Sequence, residues 1–547
     1  MPRELLVRHY RQIVLWPLQL LPIRPGSQVQ RHWEALESIT TNNPWVELAD
    51  EFGADPRAFA ERHYKEFVTF LPYVQRFLYG SRAGQESSSR DGEPSLHIYR
   101  RDDIRAARVT LDRGSSPIVC QIAHIDLHFF LDADIAVLAV EIAADDLTLD
   151  QVQDLGFRFG RAYPAFWDNT GAGGNCPYRV EWLDASGAVL ACSDYGERAR
   201  YLEWVGRYRT PRVADHWEYL LQPLLLEYPG QTGLLRYRQL EYYRMPFMSY
   251  FAVDDPQQLT RADFVRMALV TRPGSADDLP YSAETLREFE RQHCDDRFWN
   301  RSGEQVSADT RIVVGGNTMA LVGPHGDPFF SGRDNGLLSQ FRHQYFLLFL
   351  IAHFHKAALL SISDELAVAM NRLTVGDKES VKAFKRTIRQ MMEVFLRFTH
   401  RYWFHQVSNQ ALASSVFGLL RRHLGNEELY NEVRTDVTDM NDYLDSDSAR
   451  RQANTVLRLT VVTILGLIGT IATGVLGMNL IDAAARPLAE RIGMFVLVLL
   501  ATFALTGITV ARSKRLADML DAVSDDTTNW RQKWDALRVP PKHITHK

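Results

Sequence analysis

Two stretches near the C-terminus contain no charged residue: Leu459 to Leu480, 22 residues, and Ile492 to Ala511, 20 residues. A helix needs about 20 apolar residues to cross the ~30 Å hydrocarbon core of a bilayer. Both runs meet that length, so 459–480 and 492–511 are expected to be transmembrane helices. Arg450, Arg451 and Arg458 precede the first, and Arg512, Lys514 and Arg515 follow the second. The loop between them, 481–491, holds only Arg486 and Arg491, balanced by Asp482 and Glu490. Basic residues accumulate on the cytoplasmic side, which predicts a multi-pass protein of the inner (plasma) membrane. Both termini are then cytoplasmic, the loop is external, and Arg512, Lys514 and Arg515 form an inner-face basic cluster. A buried hairpin of a water-soluble protein is the competing reading, and the flanking charge asymmetry argues against it.

The chain as a whole, 547 residues with 46% hydrophobic and 24% charged, excludes wholesale disorder and a polytopic bundle. Its 62 Lys+Arg against 67 Asp+Glu argue against a basic nucleic-acid binder. Cys120, Cys176, Cys192 and Cys294 form no CxxC pair, so neither a zinc ribbon nor a disulfide framework is expected.

Residues 1–79 are expected to be a helical region, with apolar residues three and four apart in Phe59 to Tyr79. Ile13, Val14 and Leu15, mixed with charges and Pro17 and followed by no cleavage site, read as a buried helix rather than a signal peptide. Residues 80–95 (GSRAGQESSSRDGEPS) have a linker's composition. From 96 to 330 the period turns towards two and an α+β cytosolic domain is predicted. Strands are expected at Pro117 to Phe130 and Ile135 to Ala143, with hairpins around Asp184-Ala185-Ser186-Gly187 and Gly315-Gly316-Asn317. Thr148 with Gln151, and Thr260 before Arg261, mark helix starts. Residues 331–425 are helical again. Tyr345 to Leu360 is apolar, but His353, His355 and Lys356 interrupt it, and a buried core helix is expected there.

From Asn426 no proline or glycine intervenes before the first span, so one stalk helix, 426–458, is expected to run into it. Over 426–479 such a helix would measure roughly 80 Å. Val433, Val437, Met440 and Leu444 form its apolar stripe, and Glu428, Glu432, Asp436, Asp439 and Asp442 an adjoining acidic face. Within the span, Thr463, Gly466, Gly469, Thr470, Thr473, Gly474 and Gly477 share one side. That side suits either close helix packing or a wall of hydroxyl oxygens facing water or ions.

The span ends in Gly477-Met478-Asn479, and here 425–515 resembles the CorA-type magnesium transporters, whose GMN signature closes the first of two C-terminal membrane helices. The resemblance implies a homopentamer with Gly477, Met478 and Asn479 as selectivity filter and Leu459, Thr463, Leu467, Thr470 and Gly474 lining the pore. It also implies that cytosolic Mg²⁺ binds acidic groups between subunits and places Asp442 at an acidic stalk position, with Glu428, Glu432, Asp436 and Asp439 of the same acidic face as further candidate regulatory ligands. Mg²⁺ dehydrates reluctantly, so a neutral ring of Asn479 amide oxygens can hold the hydrated ion without trapping it. Two departures stand out: Leu476 occupies a position usually aromatic, and the loop has Ala483-Ala484-Ala485-Arg486-Pro487 where an acidic segment is usual.

Other motifs offer no chemistry. Asp168 to Cys176 is glycine-rich but lacks the Lys-Ser/Thr of a P-loop, and His343, His353, His355, His400 and His405 form no HExxH. No serine-hydrolase elbow occurs, and no catalytic residue is expected. The expected function is passive flux of Mg²⁺, with Co²⁺, Ni²⁺ or Zn²⁺ as further candidates, through a self-assembled pore in lipid, with no organic cofactor and no nucleic acid. Two charges crossing 100 mV gain about 4.6 kcal/mol, enough to drive entry without nucleotide hydrolysis. The alternative is a membrane-anchored cytosolic sensor or binding module that has lost conduction. The 36-residue tail, 512–547, is expected in the cytosol.

Overall fold

The computed structural model describes residues 5–23, 31–48, 61–80, 95–131, 133–240, 244–275, 279–299, 308–374, 377–478 and 487–511. The chain divides into two compact units, Met1–Met440 and Asn441–Lys547. Of the expected linker 80–95, residues 81–94 lie outside the described residues, as do Asn479, most of the 481–491 loop and the whole tail.

The first unit is α+β. Its strands are β1 Leu6–Leu20, β2 Val46–Glu47, β3 Leu96–Arg101, β4 Ala106–Thr110, β5 Ile118–Phe130, β6 Ile135–Thr148 and β7 Arg179–Leu183. They continue with β8 Val189–Cys192, β9 Leu225–Leu226, β10 Arg236–Gln239, β11 Phe247–Val253, β12 Cys294–Phe298, β13 Thr310–Gly315 and β14 Thr318–Pro324. Among the described residues these form one mixed 14-stranded sheet, with main order β12-β13-β14-β11-β1-β6-β5-β4-β7-β8. Only β11/β14 and the short β9/β10 are parallel.

Helices of this unit are α1 His32–Ser38, α2 Glu61–Thr69, α3 Pro72–Tyr79, α4 Leu149–Arg158, α5 Arg198–Tyr208, α6 Asp215–Leu221, α7 Arg261–Leu269 and α8 Ala283–His293. After the sheet come α9 Pro328–Ser331, α10 Leu337–Arg342, α11 Gln344–Asn371, α12 Lys378–Arg401, α13 Ala411–Leu424 and α14 Asn426–Gly477, which enters the second unit. There α15 is Leu488–Ala511.

The period of two explains the layering. In β5, Ile125, Leu127 and Phe129 join the main core with Leu155 of α4 and Trp217 of α6. The alternate residues face α11, where Phe130 stacks on Phe354 with centroids 3.9 Å apart. Helix starts follow their caps. Thr148 and Gln151 close a capping box on α4, and Thr260 and Asp263 one on α7.

The N-terminal reading requires correction: Leu6–Leu20 is not a helix but the central strand of the sheet. It pairs along Leu6 to Gln19 with β6 and on its other edge with β11 and then β10. A strand covered on both faces reads as a near-continuous apolar run, which period alone does not separate from a buried helix. Pro17 is tolerated because β11 stops at Val14 and β10 begins at Leu18. Leu15 N–H donates towards Pro246 on that edge, so the missing N–H of Pro17 points into the gap and no ladder bond is lost.

One helical stretch among the described residues, Leu337–Asn371, is long and apolar enough to cross a membrane, and 78% of its apolar window is buried inside the protein. Leu348, Phe349, Leu350, Ile351 and Phe354 are fully buried. It is the core helix expected from Tyr345 to Leu360.

Candidate functional site

At 100° per residue, Leu459, Thr463, Leu467, Thr470, Gly474 and Gly477 fall on one side of α14. All six are exposed in the single chain, Leu459 at 62% and Leu467 at 56%. Thr463 Oγ1 donates to Leu459 O at 2.9 Å, and Thr470 Oγ1 to Gly466 O at 3.0 Å. Each hydroxyl thus spends its proton on the preceding turn, leaving lone pairs as acceptors for a water or hydrated ion. A Cβ built on Gly466, Gly469, Gly474 or Gly477 would meet nothing within 4 Å, so this side is open to another helix or to solvent. Met478 is 68% exposed and its N–H reaches Gly474 O at 3.1 Å. Asn479 lies outside the described residues, as do Arg512, Lys514 and Arg515.

The apolar side chains of α15 are exposed as well. Ile492, Leu497, Leu500, Phe503 and Ile508 each show more than half their surface, spread over about 160° of the helix circumference. Water does not tolerate such a helix without a cover.

On the first part of α14, Val433 and Val437 are buried while Glu428, Glu432 and Asp439 are exposed and Asp436 is half-buried. Asp442, in the second unit, is exposed. Among the described residues no group of three or more His, Cys, Asp or Glu is placed to hold a metal ion, so a single copy does not assemble a regulatory site from these carboxylates. The root of the helix is firmly seated. Asn426 is fully buried and donates to Ala352 O at 3.0 Å, and Tyr430 stacks on Trp403 at 4.5 Å.

A charged cluster that belongs to no sequence motif sits between the sheet and α10. Glu141, fully buried on β6, accepts from Arg11 Nη1 at 2.5 Å and Arg342 Nε at 2.9 Å, with His124 Nδ1 at 3.0 Å. Burial pushes its carboxyl upward, but His124, Arg342 and Arg11 outweigh that and hold it well below the usual carboxylate range. Nearby, Asp126 takes a two-pronged contact from Arg100 at 2.7 and 2.8 Å. Both arginines sit on Oε1 while His124 faces Oε2, so Glu141 pins α10 to the sheet. The sequence signal for it was a lone acid inside the apolar run Ile135 to Ala144.

No family model matches the chain, and no curated protein matches it. Among solved structures it is similar to the complete structure of the CorA magnesium transporter from Methanocaldococcus jannaschii. That match is 13% identical, covers 50% of this chain and 93% of the other, and has a TM-score of 0.19.

Proposed function

We propose that this chain is one subunit of a divalent-cation channel in the plasma membrane. One observation carries the reading: 459–480 and 492–511 are charge-free at membrane-spanning length, large apolar side chains on both, among them Leu459, Leu467, Leu497 and Phe503, are exposed in the single chain, and the first ends in Gly477-Met478-Asn479. Lipid and sister subunits would cover those side chains. Several copies of α14 would turn the Thr463–Thr470–Gly474 side inwards, and the Asn479 amides would ring the outer mouth. A pentamer is the expected assembly. Mg²⁺ is the expected cargo and the expected regulatory ion, at Glu428, Glu432, Asp436, Asp439 and Asp442 shared between neighbouring copies. Flux runs down the membrane potential, and no catalytic step or organic cofactor is assigned.

The test is purified protein in liposomes loaded with a Mg²⁺-sensitive dye. Wild type should take up Mg²⁺ when the interior is made negative, and Asn479→Ala should lose flux or selectivity. Absence of wild-type flux, or an unaltered Asn479→Ala, overturns the proposal. The size of the compact unit Met1–Met440 favours a second reading, an anchored sensor module without a pore. A monomer or dimer in detergent would support that one, because neither encloses a ring.

A further inference from the structure

At the root of α14 two imidazoles lie face to face. His293, the last residue of α8, and His423, in the last turn of α13, stack with centroids 3.9 Å apart and planes 13° from parallel. Phe289 stacks on the far side of His293 at 4.2 Å. Both tautomers are set by backbone acceptors: His293 Nδ1–H donates to Val314 O at 2.7 Å, and His423 Nε2–H to Gln292 O at 2.9 Å. The contact is close elsewhere too, since a Cβ on Gly316, in the β13–β14 turn, would lie 3.1 Å from His423 O. Two residues after His423, Gly425 turns the chain at φ 67° into α14.

The charges around the pair are committed elsewhere. On α8, Glu290 is held by Arg261 and Arg311, and Arg291 pairs with Glu288. On β12, Asp295 accepts from Ser415 of α13. On α13, Arg421 pairs with Glu427 and Arg422 is exposed. From α11, Lys356 reaches Asn317 of the β13–β14 turn. Among the described residues no carboxylate lies within ion-pair distance of either ring, so nothing offsets a second positive charge. Both rings are half-buried and reachable by protons. Burial and the His423 charge push His293 below the ordinary histidine value.

We propose that the His293–His423 stack is a proton-operated latch. With the rings neutral it fastens α13, and with it the start of α14, to the β13–β14 end of the sheet. Protonation of both rings places like charges face to face and drives the rings apart. The latch belongs to the unit Met1–Met440 and does not depend on conduction.

Hydrogen–deuterium exchange on the full chain in detergent tests it, at pH 7.5 and 5.0 with intrinsic rates corrected. Wild type should lose protection in 411–424 and 312–318 at the lower pH by about tenfold, equivalent to about 1.4 kcal/mol. His423→Phe keeps a stacked ring without the charge and should show no such loss. His423→Gln, which keeps a donor for Gln292 O, guards against a folding defect, and protection of 149–158 reports the fold of each variant. Equal protection of wild type at both pH values, or the same loss in wild type and both variants, overturns the latch.

Discussion

Burial decides the behaviour of this protein's histidines one residue at a time. His216, His353 and His355 are fully enclosed and pushed down to about 3, and His128 to about 4, because a charged imidazole there would lose its water. A histidine with a depressed folded pKa contributes stability that is complete above its unfolded value near 6.5 and is lost as pH falls towards the folded value. Glu141 acts in the same direction at lower pH, since a depressed carboxyl loses its contribution as pH falls below 4.5. Urea denaturation followed by tryptophan fluorescence should therefore show a lower midpoint at pH 5.0 than at pH 7.5, with a smaller drop in His353→Phe. Steric fit is equally local. A Cβ on Gly315 would stand 2.1 Å from Ala268 O, a backbone atom with nowhere to go. Gly315→Ala should destabilise by about 1–3 kcal/mol, readable as a fall in the denaturation midpoint. The buried helix that carries His353 and His355 was legible from the apolar run Tyr345 to Leu360. The partners of Glu141 were not, because Arg11 and Arg342 reach it from 130 and 201 residues away.

For the elements, local chemistry was a good guide wherever it closed on itself within a few residues. The Thr148–Gln151 box caps α4 as its spacing predicts, and Thr148→Ala should cost about 1 kcal/mol in chemical denaturation. Strands β5 and β6 lie where alternation put them, and their four-residue connection is too short for anything but a hairpin. The element misread was β1. Its apolar run fits a buried helix as well as a strand, and what makes it a strand is a long ladder to β6, whose pairing partner for Leu6 is Thr148. Nothing within fifteen residues of Leu6 encodes that partner.

Over the whole molecule, two kinds of burial coexist. In Met1–Met440 the most apolar helix, α11, is covered by the protein itself, whereas on α14 and α15 of Asn441–Lys547 large apolar side chains stay exposed in the single chain. A chain ending at Met440 should accordingly leave the membrane fraction on cell fractionation, while the full chain should require detergent to be recovered. Charge-free length alone determined that 459–480 and 492–511 need a non-aqueous or protein cover, because apolar surface on that scale cannot remain in water. The GMN string and the threonine–glycine side of the first stretch were likewise readable without coordinates, since helical periodicity is a local property. Only the tertiary structure decided that Leu6–Leu20 is the middle of the sheet, that Glu141 is locked between arginines, and that His293 and His423 meet at the root of α14. Each of these joins residues over a hundred positions apart, and such contacts follow from how elements pack and not from any pattern within them.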